Sequence, residues 1–362
     1  MQGWTERVPG GWKARWRSPD GRKPSKKFRR RSDAERFLTL LEADLLRGTY
    51  VDPRAGRVRL ERFASEWIST KVHLRKSTRT RYEGLLRVHI LRRLGRLPLN
   101  AIRPTDVQAF VAEMYASGLA PGTVRQAYVV LSQILSAAET NGLINRSPAV
   151  GVKLPSPARE EQRYLTADQV ALLAKAIHPR YRALVLLGAY GALRWGELAG
   201  LRAARLRLLQ RRIDVLETLI EVQGRLVAGP PKTGPRTISI PVSVAEELSH
   251  HLATHAKGPN GLLFTSPEGG PLRYRAFLQR FWRPAVERAR LAPLRIHDLR
   301  HTAVALAVAA GAHPKEIQEL CGHASIGTTL NVYGHLFEAL QDRLAERLAD
   351  TFRASRAALV LA

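Results

Sequence analysis

The chain has a single cysteine, Cys321, among 362 residues. One thiol supports neither an intramolecular disulfide nor a cysteine-based metal cluster, which fits a reducing compartment. Long apolar runs are missing too. The longest, Ala183 to Leu193, is too short to span a bilayer, so no membrane partner is expected. The first residues, Met1 to Arg7, lack the apolar stretch of a secretory signal. Negative charge is scarce, with 31 Asp and Glu against 58 Lys and Arg, a net charge of +27. That balance argues against a free-standing enzyme for small neutral substrates. It favours a polyanionic partner, most often nucleic acid.

The excess is spread along the chain: +7 over residues 1–50, +9 over 51–150 and +11 over 151–362. Several segments touching one long polyanion would produce this distribution, with affinity that falls steeply as salt rises. Arg supplies 47 of the 58 basic residues, which suits bidentate phosphate contacts, although a coding bias would give the same skew.

Residues 9–31 read as a small sheet. Trp12, Ala14 and Trp16 alternate with Lys13, Arg15 and Arg17, and Ser18-Pro19-Asp20-Gly21 supplies a turn. Ser32 with Glu35 is a capping box for a helix that carries Phe37, Leu38, Leu41 and Leu45 and ends at Gly48. Residues 60–150 read as a helical bundle. Its helices begin near Leu60, near Ser77, at a Thr105–Gln108 capping box and at Thr123, the last ending at Asn141-Gly142. Pro148, Pro155 and Pro157 mark Ser147 to Arg163 as a linker. Beyond it, Thr166 caps a helix with Gln169, another helix covers Tyr181–Tyr190, and strands are expected at Arg212–Leu216, Leu219–Val222 and Thr237–Ile240. Helices resume from Ser243. The fold class expected is α+β multidomain, with boundaries at 1–55, 58–150 and 160–362.

Five short stretches carry the chemistry: Gly191-Ala-Leu-Arg194-Trp-Gly-Glu197, Pro231-Lys232-Thr-Gly-Pro-Arg236, His297-Asp-Leu-Arg300-His301, Cys321-Gly-His323 and Asn331-Val-Tyr333-Gly-His335. In order and spacing they resemble the tyrosine recombinase, or phage integrase, family, whose pattern is Arg, Lys, His-x-x-Arg, Gly-His and a late Tyr. Rejoining a DNA phosphodiester without a nucleotide cofactor requires the bond's free energy to be stored covalently, which a Tyr hydroxyl can do as a phosphotyrosine. The resemblance makes Tyr333 the nucleophile, with the 3′-phosphate retained and a 5′-hydroxyl released. Arg194 and Arg300 match the grip on the non-bridging oxygens. Lys232 matches the general acid for the 5′-oxygen, read as a hairpin lysine with Arg236 in the same hairpin as its competitor for the role. His297 and His323 match hydrogen-bonding and proton-transfer positions. No metal and no cofactor is expected.

Bland readings stand beside these. Arg194 could pair structurally with Glu197, and Tyr333 taken alone would be a packed aromatic. His301 is expected behind the site or in the core, and His335 is as readily structural as orienting. His251 and His255 have i, i+4 metal-ligand spacing, but without a third ligand they read as a solvated helix face. Cys321 reads as a buried small hydrophobe.

The resemblance extends to the N-terminal half. The first module is similar to an arm-site DNA-binding module, and the bundle to the core-binding domain that closes around DNA opposite the catalytic domain. Lys71, Arg75, Lys76, Arg79 and Arg81 would lie at its DNA edge. The function implied is site-specific recombination that integrates a phage or mobile element, with excision left open. The partners implied are double-stranded attachment sites, a homotetramer on DNA, and accessory proteins for excision or DNA bending. The tail, with Leu344, Leu348, Phe352, Leu359 and Val360, would pack into a neighbouring protomer or in cis. A cytoplasmic, nucleoid-associated protein is expected. A resolvase-type recombinase for chromosome or plasmid maintenance and a non-catalytic DNA-binding accessory factor are the alternatives.

Overall fold

The computed structural model describes residues 3–18, 21–47, 52, 54–156, 163–255, 258–334, 345, 346 and 348–353. It divides into two compact units, 1–159 and 160–362.

In the first unit, β1 (Trp4–Val8), β2 (Gly11–Arg15) and β3 (Ser25–Phe28) form an antiparallel sheet in sequential order. The sheet thus starts earlier than the residue 9 expected, because β1 pairs with all of β2. Trp12 pairs with Phe28 and Ala14 with Lys26, which puts these four residues on one face. Helix α1 (Arg31–Leu46) covers that face, and Phe37 meets Trp16 and Phe28 at centroid distances of 5.3 and 5.2 Å. The opposite face presents Trp4, Glu6, Lys13, Arg15 and Lys27. The capping box at Ser32 does not form. The N-cap is Arg30, two residues earlier, and Glu35 pairs with Arg31 at 2.8 Å instead. Gly48 lies outside the described residues.

The bundle consists of α2 (Leu60–Ser69), α3 (Lys76–Leu85, continued by a π-helical turn over Leu86–Ile90 and a last turn Leu91–Leu94), α4 (Pro104–Ala116) and α5 (Pro121–Thr140). Leu60, Trp67, Ile90, Phe110, Leu131 and Ile134 are buried between the helices, each worth about 1.5–3 kcal/mol. Helix α4 starts at Pro104 and not at Thr105. A proline is well placed in a first turn, and Asp106 accepts the Arg103 amide at 2.8 Å. Gln108, the expected capping partner, bonds the backbone of Lys153 in both directions, at 2.9 and 3.1 Å. The start of the expected linker is therefore packed. Tyr128 donates to the Ala149 carbonyl at 2.6 Å, and Ala149 is buried. Residues 157–162 lie outside the described residues.

The second unit opens with α6 (Ala167–Ala176), where Thr166 and Gln169 form the expected capping box. Then come α7 (Arg182–Gly191), α8 (Trp195–Gly200), β4 (Leu206–Arg207), β5 (Arg212–Val215), β6 (Thr218–Val222), β7 (Arg225–Gly229), β8 (Arg236–Ser239) and α9 (Val242–Thr254). Strands β4, β5 and β8 form one sheet, and β6 and β7 form a separate hairpin. This corrects one expectation: β7 and β8 belong to different sheets, so Lys232 and Arg236 do not share a hairpin. Helix α10 (Tyr274–Phe277, a π-helical turn Leu278–Trp282, then Arg283–Arg288) precedes α11 (Asp298–Ala309), α12 (Pro314–Cys321) and α13 (Ile326–Tyr333). Helices α7 and α11 meet closely at Gly188, where a Cβ would stand 2.8 Å from Leu299 Cδ1. No helix of the described residues is long and apolar enough to cross a membrane.

Candidate active site

Helix α7 ends at Ala192, a left-handed residue at φ 55°. This uncommon conformation for a non-glycine residue turns the chain so that its carbonyl accepts a hydrogen bond from Arg300 Nη1. Arg300 Nη2 donates to the Cys321 carbonyl at 2.7 Å. Arg300 is only 3% exposed; burial lowers its pKa, and the guanidinium remains a cation. Two backbone carbonyls from different helices thus fix the orientation of one guanidinium.

Arg194 sits at the N-cap of α8 and bonds Glu197 twice, through its amide and its Nη1, both at 3.0 Å. The Glu197 side chain is fully buried, and Arg236 from β8 donates to both of its oxygens at 3.1 and 2.8 Å. Burial pushes the Glu197 carboxyl up. The hydrogen bond and charge of Arg236, joined by those of Arg194, outweigh this and hold it below the usual carboxylate range. Arg236 also donates from Nε to the Leu320 carbonyl at 3.2 Å. The pairing of Arg194 with Glu197 is real, and it orients Arg194 without covering it, since a quarter of that side chain stays exposed.

His297 occupies the N-cap position of α11 without a side-chain cap bond and is exposed, and its ring stands edge-on to His301 at 4.9 Å. Tyr333 ends α13 at 2% exposure, with its Oη 2.8 Å from His301 Nδ1. Burial raises the phenol pKa well above its ordinary value, so the hydroxyl keeps its proton near neutral pH. His323 Nδ1 lies 2.9 Å from Thr329 Oγ1. Burial and the charges of Arg300, Arg194 and Arg236 push His323 down to about 4. Burial and neighbouring His297 push His301 down to about 4 as well. Both rings are therefore neutral at pH 7.

The structure thus gathers Arg194, His297, Arg300, His323 and Tyr333 around the ends of α7, α8, α11, α12 and α13. The charge of Arg194 acts on all four of the others. Lys232 is outside this buried network; it is exposed on the connection between the two sheets. Cys321 is buried, and its thiol pKa is raised by that burial. His335 lies outside the described residues. His251 is not solvated, as its spacing led one to expect. It is buried, with Nε2 3.0 Å from the Leu263 carbonyl and its ring 4.9 Å from His255. Among the described residues no group of three potential metal ligands occurs.

Residues 163–339 match the model of the phage integrase family, and residues 59–115 that of the phage integrase N-terminal SAM-like domain. Over 355 residues the chain is 30% identical to a protein of Mycobacterium tuberculosis (strain ATCC 25618 / H37Rv) named "Putative prophage phiRv2 integrase", covering 94% of this chain and 92% of that one. The chain belongs to the phage integrase family. Its fold is shared with the Tn1549 transposon integrase in complex with transposon right end DNA, at a TM-score of 0.71 and 22% identity over 81% of this chain and 100% of that one. A lambda integrase tetramer bound to a Holliday junction aligns at a TM-score of 0.57 and 19% identity, over 88% of this chain and 94% of that one. The chain is thus an integrase of the tyrosine recombinase type, with an α+β fold of several parts. All six positions picked out by motif lie inside the longer family match of the integrase.

Proposed function

We propose that this integrase is a site-specific DNA recombinase that cuts and rejoins double-stranded attachment sites through a 3′-phosphotyrosine link, integrating a phage or mobile element. The observation that carries this reading is the convergence of Tyr333, Arg194, Arg300, His297 and His323 at neighbouring helix ends. In the step proposed, Tyr333 Oη bonds to phosphorus as the bond to the 5′-oxygen breaks. The phenol proton passes to a histidine of the site, and Lys232 Nζ protonates the leaving 5′-oxygen. Arg194 and Arg300 hold the non-bridging oxygens as charge accumulates on them. His297 and His323 donate hydrogen bonds to the same phosphate. Attack by the 5′-hydroxyl of a partner strand on the phosphotyrosine then reverses the step and frees Tyr333.

The same reading divides the chain into an arm-type module (1–55), a core-binding bundle (58–150) and a catalytic domain (160–362). The outward sheet face with Trp4, Lys13, Arg15 and Lys27 is the surface by which the first module would meet DNA. A homotetramer on two duplexes, accessory proteins that set direction, and a cytoplasmic, nucleoid-associated location complete it. Leu348 and Phe352, at 60% and 64% exposure, are available for contact with a second protomer.

Labelled nicked duplexes tiled across the DNA flanking the coding sequence test the reaction class. The expected product is a protein–DNA adduct carrying the 3′-phosphate end, with a free 5′-hydroxyl that a kinase can label. DNA binding on native gels with no adduct on any duplex would mean a binding protein and not a recombinase.

A further inference from the structure

Tyr333 has little freedom. Its ring packs in a small cluster with Ala192, Ala303, Val304, Val308, Ile317 and Cys321. Swinging it away would empty that cluster, so its aim depends on the torsion of one hydroxyl. A buried hydroxyl left without a partner is destabilising. His301 Nδ1, at 2.8 Å, satisfies it. His301 is itself held on α11, its ring between those of His297 at 4.9 Å and Tyr333 at 5.7 Å. It also directly follows Arg300, whose guanidinium is fixed by the Ala192 and Cys321 carbonyls. One turn of helix therefore sets both a phosphate-gripping cation and the partner of the phenol.

We propose that His301 is a positioning residue for Tyr333: its Nδ1 accepts the hydroxyl proton in a hydrogen bond and so leaves the oxygen lone pairs directed at the phosphorus. The bond has a required direction. An Nδ1–H would donate to the phenol oxygen and occupy the lone pair needed for attack, so His301 must be the Nε2–H tautomer. The inference rests on the reading of Tyr333 as nucleophile, and two separate measurements distinguish its failure from the failure of that reading.

The first is the rate of adduct formation by the full chain on a nicked duplex that the wild type cleaves, made with either oxygen or sulfur at the scissile 5′ position. Sulfur leaves without protonation, so it rescues a lost general acid but not a misplaced nucleophile. His301→Leu should lower the rate about 100-fold on both duplexes, the scale of a small misplacement of a reacting group. His301→Asn, whose amide oxygen can stand near Nδ1, should recover most of the loss, while Lys232→Ala should be rescued by sulfur. A wild-type or faster rate for His301→Leu, or its rescue by sulfur, overturns the inference while the nucleophile stands.

The second is the 15N spectrum of histidine-labelled protein, which needs no DNA and applies even if His301→Leu fails to fold. The Nε2–H tautomer with an Nδ1 shift that changes in Tyr333→Phe supports the inference; an Nδ1–H tautomer overturns it. Absence of any wild-type adduct, or an adduct from Tyr333→Phe, removes the nucleophile reading and the positioning role with it.

Discussion

Arg236 reaches both carboxylate oxygens of Glu197, at 3.1 and 2.8 Å, from a strand 39 residues further along the chain. Arg194 Nη1 donates to the same carboxylate at 3.0 Å. One buried anion thereby fixes the direction of a partly exposed guanidinium, and a second, buried guanidinium anchors the anion.

Removing the anion should cost more than either pair alone. Glu197→Ala leaves two arginines without their counter-charge in a largely dry site, for which about 3–5 kcal/mol of lost stability is expected. Urea unfolding measures it. A loss below about 1 kcal/mol would mean that the arginines find other partners.

Gly322 permits the approach of Arg236. It lies at φ +62°, and a Cβ there would stand 2.8 Å from Arg236 Cδ. Gly322→Ala should therefore destabilise by about 1–3 kcal/mol through backbone strain and displacement of that side chain. The partner variant Arg236→Ala, which clears the space, should make the added cost of Gly322→Ala smaller. Strict additivity of the two would contradict the contact.

Stability should fall in mild acid. His301 and His323 stay neutral in the folded chain down to about 4, from an ordinary value of 6.5. Below pH 6.5 the unfolded chain takes up protons that the folded chain refuses, so stability drops between about 6.5 and 4 and this contribution then levels off. Each ring can contribute up to about 3 kcal/mol, reduced because both keep some contact with solvent. Replacing both histidines with Asn should flatten the profile in that window. An unchanged slope would contradict their shifts.

Deleting residues 1–55 separates the proposed modules. Cleavage of a short core duplex should survive, while integration between complete attachment sites should be lost. Equal integration by the truncated chain would favour a resolvase-type recombinase.

Much of the outline was legible in the sequence, because helical periodicity and capping residues are local signals. Thr166 with Gln169 behaves as read. Ser32 and Thr105 do not, since each helix is capped two residues earlier, at Arg30 and Arg103, and the nearby Arg31–Glu35 and Asp106–Arg103 bonds take the place of the expected caps. Strands β1 (Trp4–Val8) and β7 (Arg225–Gly229) lack a clean apolar–polar alternation and offered too little pattern to be noticed. The six motif residues were picked out by their order alone. The groups that hold them could not be: Arg236 meets Leu320 across 84 residues, and His301 meets Tyr333 across 32. Nothing local in a single sequence records such pairs. His251 misled for the same reason, its partner being the distant Leu263 carbonyl.

The most direct test of the central claim is to locate the covalent bond. Wild type and Tyr333→Phe are incubated with the cleaved duplex, digested with protease, and the DNA-linked peptides identified by mass spectrometry. The expected result is a nucleotide on Tyr333 in the wild type and no adduct from Tyr333→Phe, with both proteins still retarding the DNA on native gels. A nucleotide on any other residue, or an adduct that persists in Tyr333→Phe, would contradict the assignment of Tyr333 as the nucleophile.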